Sequence, residues 1–125
     1  MIRAKFLKSW AFFLVALLFS VIVFAKETSQ LGVIAGQDLP KEARQTLGLI
    51  KSGGPFPYVK DGGVFGNYEG VLPKRKRGYY HEFTVKTPGV HDRGARRIIT
   101  GDEPASSGEY YYTDDHYATF KRIKE

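Results

Sequence analysis

The 125-residue sequence contains no cysteine. This absence excludes disulfide bonds, metal-thiolate sites and a cysteine nucleophile, so a domain of this size must rely on its hydrophobic core for stability. Acidic side chains are also scarce relative to basic ones, 13 against 19, which gives a formal net charge of +6. A moderate positive charge suits an anionic polymer as a partner but does not identify one.

The first 25 residues differ in composition from the rest of the chain. Three cations within the first eight residues precede an apolar run from Trp10 to Phe24, which leads into the small-x-small cleavage pattern Val23-Phe24-Ala25. This run is shorter than the ~20 apolar residues that a membrane span needs, which disfavours the alternative of an uncleaved membrane anchor. We therefore predict a signal peptide over residues 1–25 and a secreted, extracellular domain over residues 26–125. Removing the leader takes away three of the 19 basic residues and none of the 13 acidic ones, so the exported part carries +3.

The spacing of apolar residues predicts one helix near the start of the exported domain. Ala43, Leu47 and Ile50 follow Pro40 at helical intervals, and Gly53-Gly54 is typical of a helix end. Since Gly48 weakens this helix by about 1 kcal/mol relative to alanine, its apolar stripe must be stabilised by docking on another element. We expect that element to be a β-sheet.

Alternating residues after the helix predict strands. Between Gly78 and Lys86, one face would carry Tyr79, Phe83 and Val85 toward the helix, while the opposite face would carry Tyr80, Glu82 and Thr84 outward. Further short strands are predicted at Arg97–Thr100, Tyr110–Tyr112 and Ala118–Phe120. A helix followed by strands predicts the α+β class, with an N-terminal amphipathic helix packed on a small antiparallel sheet.

Four charged residues of this domain have the chemistry for cleaving RNA without a metal ion. The RNA 2′-hydroxyl can serve as the nucleophile if a base removes its proton, an acid protonates the departing 5′-oxygen and cations stabilise the phosphorane. Glu82 and His116 are suitable as base and acid, and Arg93 and Arg97 can each hold two phosphate oxygens. Taken singly, each residue has an ordinary explanation as a solvated surface charge or a turn residue. The combination favours the catalytic interpretation.

The sequence resembles the bacterial guanyl-specific extracellular ribonucleases, the family that includes barnase and the secreted streptomycete enzymes. The similarity runs from about Gly32 to Ile123 and follows five blocks in the same order. These blocks are Phe65-Gly66-Asn67-Tyr68-Glu69-Gly70-Val71-Leu72-Pro73, Tyr79-Tyr80-His81-Glu82-Phe83-Thr84-Val85, Thr87-Pro88-Gly89, Arg93-Gly94-Ala95-Arg96-Arg97-Ile98-Ile99 and Tyr111-Tyr112-Thr113-Asp114-Asp115-His116-Tyr117-Ala118-Thr119-Phe120. The resemblance implies the microbial ribonuclease fold and metal-independent cleavage after guanosine, through a 2′,3′-cyclic phosphate.

The resemblance also implies a role for each catalytic position. Glu82 would be the general base and His116 the general acid. Arg93 and Arg97 would hold the phosphate, and the hydroxyl of Tyr117 would contact it. No cofactor or metal ion is expected.

A separate block would form the guanine pocket. Within Phe65 to Glu69, the Glu69 carboxylate would accept from guanine N1–H and from the exocyclic amine, while main-chain amides from Asn67 to Glu69 would donate to O6. The position of Tyr68 is often arginine in the family, where it helps to hold phosphate. A tyrosine there could stack on guanine instead, and the sequence leaves open which way it points.

The expected partner is single-stranded RNA, bound by a monomer, with a barstar-like protein inhibitor as a further candidate. The basic run Lys74–Arg77 is either a solvated surface or a site that gathers RNA backbone. Two other functions remain open from the residues alone. One is a non-catalytic RNA-binding module, which would not require Glu82 together with His116. The other is a cationic envelope-binding protein, although the exported part lacks a long basic amphipathic helix.

Overall fold

The predicted helix, α1, spans Lys41–Ser52 in the computed structural model, which describes residues 31–125. Its buried side chains include the expected stripe of Ala43, Leu47 and Ile50, together with Thr46, which was not predicted. The helix ends at Gly53, whose φ of 83° is a left-handed conformation that glycine adopts without steric cost. The helix is therefore confirmed together with its end. The predicted signal peptide over residues 1–25 and the start of the domain at residue 26 lie outside the described residues.

The sheet contains six strands within residues 31–125. They are β1 (Gly32–Ala35), β2 (Val64–Phe65), β3 (Tyr80–Thr84), β4 (Arg97–Gly101), β5 (Tyr110–Thr113) and β6 (Lys121–Lys124). Their order across the sheet is β1-β6-β5-β4-β3-β2, and the neighbours pair antiparallel except β1 and β6, which are parallel. The α+β class is confirmed, but the sheet is mixed rather than purely antiparallel. The parallel pair was not predicted because β1 is too short to show a period and pairs with a strand at the far end of the chain.

One face of the sheet packs against α1. The core on this side combines the helix stripe with side chains from four strands. Phe83 and Ile98 lie at its centre, at 2% and 0% exposure. At roughly 25 cal/mol for each Å² of apolar surface removed from water, this burial stabilises the marginal helix. The docking of the helix expected from its Gly48 is confirmed.

The opposite face of the sheet is also covered, which corrects the prediction that it faces outward. Tyr80 and Tyr111 are 2% and 1% exposed and form a second core with Ile99. Leu72 and Phe120 complete this core from two loops that fold over the sheet. The alternating residues of a single strand could not predict this second core. The same alternation fits a strand with one face in water and a strand whose second face is covered by loops from elsewhere in the chain.

Two residue assignments from the sequence were wrong. Tyr79 precedes β3 and packs with the second core instead of facing the helix. Residues Ala118–Phe120 are a loop, and the last strand begins at Lys121. In this loop the Asp115 carboxylate accepts from the Thr119 amide at 2.9 Å, so side-chain hydrogen bonding replaces strand pairing. In the described part of the chain, no helix has the length and apolar character needed to cross a membrane.

Candidate active site

Glu82 is held on β3 by contacts with its side chain and its backbone. Its carboxylate is partly shielded, with the side chain 18% exposed. One carboxylate oxygen accepts a hydrogen bond from the Arg93 guanidinium, and the other accepts from the Tyr117 hydroxyl at 3.3 Å. The Glu82 amide donates to the carbonyl of Gly63 at 2.8 Å, which ties the strand to the preceding loop. The predicted base therefore has a fixed position before any substrate binds.

The two arginines predicted to bind phosphate lie beside this carboxylate. Arg93 donates through Nε to the hydroxyl of Thr84 at 3.0 Å, in addition to its ion pair with Glu82. Arg97 is only 2% exposed, so its alternative explanation as a surface charge is wrong. One of its terminal nitrogens donates to the carbonyls of Gly94 at 2.9 Å and Arg96 at 2.7 Å. A buried guanidinium with these acceptors is oriented in advance for an anion.

Tyr117 connects the Glu82 carboxylate to the two arginines. Its hydroxyl donates to Glu82 and accepts from Nε of Arg97 at 3.0 Å. Burial, together with the Glu82 carboxylate, raises the pKa of this hydroxyl above its ordinary value. The group therefore stays protonated at neutral pH and remains a donor. Its ring also stacks on Phe65, with centroids 5.0 Å apart and planes 26° apart, which joins the catalytic cluster to the predicted base pocket.

His116 sits in the tight loop between β5 and β6. Its φ is 54° and that of Tyr117 is 75°, both in the left-handed region that non-glycine residues rarely adopt. The His116 amide donates to the carbonyl of Ala95 at 3.0 Å, and its ring centroid lies 4.8 Å from that of Tyr117. The imidazole itself is exposed. This arrangement places the predicted acid beside the cluster with its ring accessible to a substrate.

Asp115 stabilises that strained loop. Its carboxylate accepts hydrogen bonds from the hydroxyl and the amide of Thr119 and from the hydroxyl of Thr113 at 2.8 Å. The bonds from the side chain and then the backbone of Thr119 are the main reasons that the pKa of Asp115 falls to about 2. Since Asp115 precedes His116, these bonds also restrict the position of the acid. Sequence reasoning gave Asp115 no role.

Two clefts meet at His116. The first encloses about 270 Å³ and is lined by Phe65, Asn67, Tyr68, Glu69, Val71, His116, Tyr117 and Phe120. The second encloses about 420 Å³ and is lined by Lys60, Asp92, Arg93, Gly94, Arg97 and His116. The first therefore brings together all five residues predicted to bind substrate, and the second contains three of the four predicted catalytic residues. A larger open cleft between α1 and the ends of β1 and β6 contains none of them.

The second cleft adds Lys60, which sequence reasoning missed. Its loop is fixed to the catalytic strand, because the Thr84 amide donates to the Asp61 carboxylate at 2.7 Å and the Gly62 amide donates to the Glu82 carbonyl at 2.8 Å. A lone lysine in a Gly/Asp turn carries no signal in a sequence, since most such residues are solvated. Only the fold brings this cation beside the arginines.

The base pocket is shaped by the Asn67 side chain. Its amide group donates to the carbonyl of Leu72 at 3.0 Å and accepts from the Leu72 amide at 3.2 Å, which closes the loop. The side chain of Glu69 is exposed at the rim. Within residues 31–125, none of the main-chain amides from Asn67 to Glu69 donates to a protein acceptor. A ligand in the pocket could therefore use them as donors.

The described residues include no group of three or more His, Asp or Glu side chains arranged to hold a metal ion. The arrangement consists of one carboxylate, one imidazole, two guanidiniums and a phenol around a cleft that continues into a pocket with a carboxylate at its rim. These features define a class of enzymes that cleave phosphodiester bonds by acid-base chemistry.

Comparison with known proteins identifies the family within this class. A family model described as ribonuclease matches residues 24–124. Guanyl-specific ribonuclease St of Saccharopolyspora erythraea is 54% identical over 95 residues, which cover 76% of this chain and 90% of that protein. Guanyl-specific ribonuclease Sa of Kitasatospora aureofaciens is 56% identical over 94 residues, 75% of this chain and 95% of that protein. The chain belongs to the ribonuclease family.

Solved structures agree with this result. Ribonuclease Sa2 with guanosine-2′-cyclophosphate is 52% identical and superposes with a TM-score of 0.68, covering 75% of this chain and 96% of that chain. Another structure of ribonuclease Sa2, in complexes with mononucleotides, gives a TM-score of 0.71 at 52% identity, with 76% and 95% coverage. The fold and the family expected from the sequence are confirmed. The roles of individual residues remain predictions that rest on the geometry described above.

Proposed function

We propose that this protein cleaves single-stranded RNA on the 3′ side of guanosine, by transesterification to a 2′,3′-cyclic phosphate and then slower hydrolysis to the 3′-phosphate. The observation that carries the proposal is the hydrogen-bonded cluster of Glu82, Arg93, Arg97 and Tyr117 at the junction of two clefts. Membership of the ribonuclease family supports the reaction, and the guanyl-specific relatives support the choice of base.

In the first step, Glu82 accepts the proton of the 2′-hydroxyl while the 2′-oxygen bonds to phosphorus. His116 gives a proton to the 5′-oxygen as its bond to phosphorus breaks, which releases the following nucleoside. Arg93, Arg97 and the Tyr117 hydroxyl bind the phosphorane oxygens, where negative charge increases in the transition state. In the second step the roles reverse, so that His116 takes a proton from water and Glu82 returns one to the 2′-oxygen.

Substrate binding exchanges the partners of the catalytic groups. Without RNA, both oxygens of the Glu82 carboxylate are occupied by Arg93 and Tyr117. A bound phosphate offers additional charged oxygens that these two donors can bind. Once they turn to the phosphate, one carboxylate oxygen of Glu82 becomes available to the 2′-hydroxyl.

Guanine is recognised in the first cleft by Glu69 and the neighbouring main chain. The carboxylate accepts from N1–H and from the 2-amino group, which guanine has and adenine lacks. The amides from Asn67 to Glu69 donate to O6. The face of the base lies against Phe65, whose ring is held in place by stacking on Tyr117.

The proposal includes export of the enzyme. The charged, apolar and small-residue regions of residues 1–25 support a cleaved secretory signal, and hence extracellular action without stable membrane association. We also propose that the enzyme acts as a monomer. The two arginines and Lys60 form a cationic cleft that an acidic protein could occupy in place of RNA. A barstar-like inhibitor is therefore a further proposed partner.

Cleavage of the dinucleotide GpC tests the proposal. The wild-type protein should release cytidine and guanosine 2′,3′-cyclic phosphate, and EDTA should have no effect. Glu82→Gln and His116→Ala should each lose about 10² to 10⁴ in rate, the range that general acid-base catalysis supplies. Glu103→Gln, in the exposed hairpin between β4 and β5, is the matched control and should keep normal turnover. Loss of activity under EDTA, or a product other than the cyclic phosphate, would contradict the mechanism.

A further inference from the structure

The basic run Lys74–Arg77 is not used by the reaction proposed above, yet it is fixed beside the guanine pocket. At its start, the carbonyl of Pro73 accepts from the Tyr80 hydroxyl, and Asn67 of the pocket loop is bonded to Leu72. At its end, the amide of Tyr79 donates to the carbonyl of Lys76 at 3.1 Å. The run is therefore held at both ends, and its start is coupled to the loop that forms the pocket.

Arg77 lies closest to the pocket because Tyr68 orients it. Its guanidinium donates to the Tyr68 hydroxyl at 2.6 Å, and its Cζ lies 5.8 Å from the centroid of the Tyr68 ring. The ring lies against Gly66, where an added Cβ would come within 2.4 Å of it. Glycine at 66 thus allows the tyrosine to lie flat along the pocket rim, with Arg77 at its outer end.

The positive charge of this run is not paired directly with acidic side chains in the part of the chain that the structure describes. All four side chains of the run are exposed, and the ion pairs found within residues 31–125 involve none of them. Four adjacent exposed cations repel one another, which favours the binding of an anion. The 86% exposed ring of Tyr68 beside them fits a polymer that carries both phosphates and bases.

In the proposed reaction His116 protonates the leaving 5′-oxygen, and His116 lines both clefts. We place the nucleotides on the 3′ side in the cleft lined by Lys60 and Arg93, because its cations suit a continuing phosphate backbone. The RNA on the 5′ side of the guanosine then lies at the opposite rim of the pocket, where the basic run is located. We propose that Arg77 binds the phosphate on the 5′ side of the bound guanosine, and that Lys74 to Lys76 extend this subsite to further upstream phosphates. This inference rests on the proposed function.

A comparison of kcat/KM for three substrates distinguishes the contribution of this subsite from that of the rest of the enzyme. GpC lacks the upstream phosphate, CpGpC carries it, and GpCpC carries an extra phosphate on the other side. The wild-type enzyme should cleave CpGpC with a kcat/KM about fivefold above that for GpC, the gain expected of one exposed ion pair. In Arg77→Gln this ratio should fall to near one, while the ratio of GpCpC to GpC stays as in the wild type. The slope of log kcat/KM for CpGpC against log salt should also become shallower by about 0.7, the value for one single-strand phosphate contact.

Two further variants identify the cause of the effect. Arg77→Lys should retain most of the CpGpC advantage, because an ammonium also binds phosphate as a point charge. Arg44→Gln removes the same charge from the exposed side of α1 and should leave all ratios unchanged. An equal loss on GpC and CpGpC in Arg77→Gln would show that Arg77 acts only by holding Tyr68 in the guanine pocket, and would overturn the inference. An unchanged CpGpC ratio, or a loss confined to GpCpC, would overturn it as well. Failure of the wild type to cleave GpC would instead refute the proposed function.

Discussion

At the scale of single residues, Glu82 shows how a chemical role depends on partners that are distant in the sequence. Its carboxylate contacts Arg93 and Tyr117, and its backbone contacts the loop that carries Lys60. The side chain is only partly exposed, so these contacts are weakened less by solvent than surface pairs would be. A carboxylate on the same strand without these neighbours would be an ordinary surface group.

Glu69 provides the sharpest prediction at this scale. Guanine offers two adjacent donors to its carboxylate, whereas adenine presents an acceptor at N1 and no amine at position 2. A site built to hydrogen-bond two groups rejects an analogue that lacks them by roughly 10⁴ or more. Glu69→Ala should therefore lose most of its rate on GpC while its rate on ApC changes little, as measured by kcat/KM for the two dinucleotides.

The control for this prediction is Glu103→Ala, which removes a carboxylate from the exposed hairpin and should keep the full preference. If Glu69→Ala also keeps it, then recognition depends on the main-chain amides and on Tyr68 rather than on this carboxylate.

At the scale of elements, the loop from Thr113 to Phe120 holds His116, the predicted acid, in a backbone conformation that is unfavourable by itself. The left-handed φ angles of His116 and Tyr117 are maintained because the Asp115 carboxylate accepts hydrogen bonds from Thr113 and Thr119, on either side of them. The pKa of Asp115 is lowered from its ordinary value of 3.8 to about 2. A lowered pKa in the folded state means that the ionised carboxylate stabilises the fold above pH 4 and loses this effect as the pH falls through about 2.

Asp115→Asn should accordingly lower the free energy of unfolding at neutral pH by about 1 kcal/mol, a value for hydrogen bonds to a charged group reduced for solvent exposure. Urea unfolding between pH 7 and pH 2 should show the difference from the wild type shrinking between pH 4 and pH 2. Asp114→Asn is the matched control, since the neighbouring Asp114 carboxylate makes no hydrogen bond in the described region. A difference that stays constant down to pH 2 would show that Asp115 does not act through its charge.

The strands show which elements a local sequence pattern can predict and which it cannot. Strands β3, β4 and β5 were predicted from their own composition, because each contains β-branched or aromatic residues in a short run. Strand β6, Lys121–Lys124, has three cations in four residues and was missed. Its pairing with β1 and β5 defines it as a strand, and pairing partners are not a local property of a sequence.

At the scale of the whole molecule, the proposed export would decide where this ribonuclease acts. The charged, apolar and small-residue regions of the leader all indicate one boundary, so the mature protein should begin at or near Lys26. N-terminal sequencing of protein recovered from the culture medium measures this directly. A start beyond Gly32 would indicate an additional propeptide, and a product retained in the membrane would contradict the prediction of a cleaved signal.

The sequence by itself determined the helix with its glycine end, three central strands, the α+β class and the family. These follow from short-range periodicity and from blocks such as Tyr79 to Val85, in which residue types are specific and closely spaced. The identity of the predicted catalytic residues also came from such blocks. Six of the nine predicted site residues line the first cleft, and Arg93, Arg97 and His116 line the second, so His116 is common to both.

The tertiary structure alone decided what the two faces of the sheet contact and which distant groups meet. Three features join residues that are far apart in the chain or in separate loops. They are the burial of Tyr80 beneath the loops, the parallel pairing of β1 with β6, and the placement of Lys60 beside the arginines. Such contacts form because the whole chain minimises its exposed apolar surface and satisfies its buried polar groups together. No segment carries that information alone, since each contact depends on where the other elements have packed.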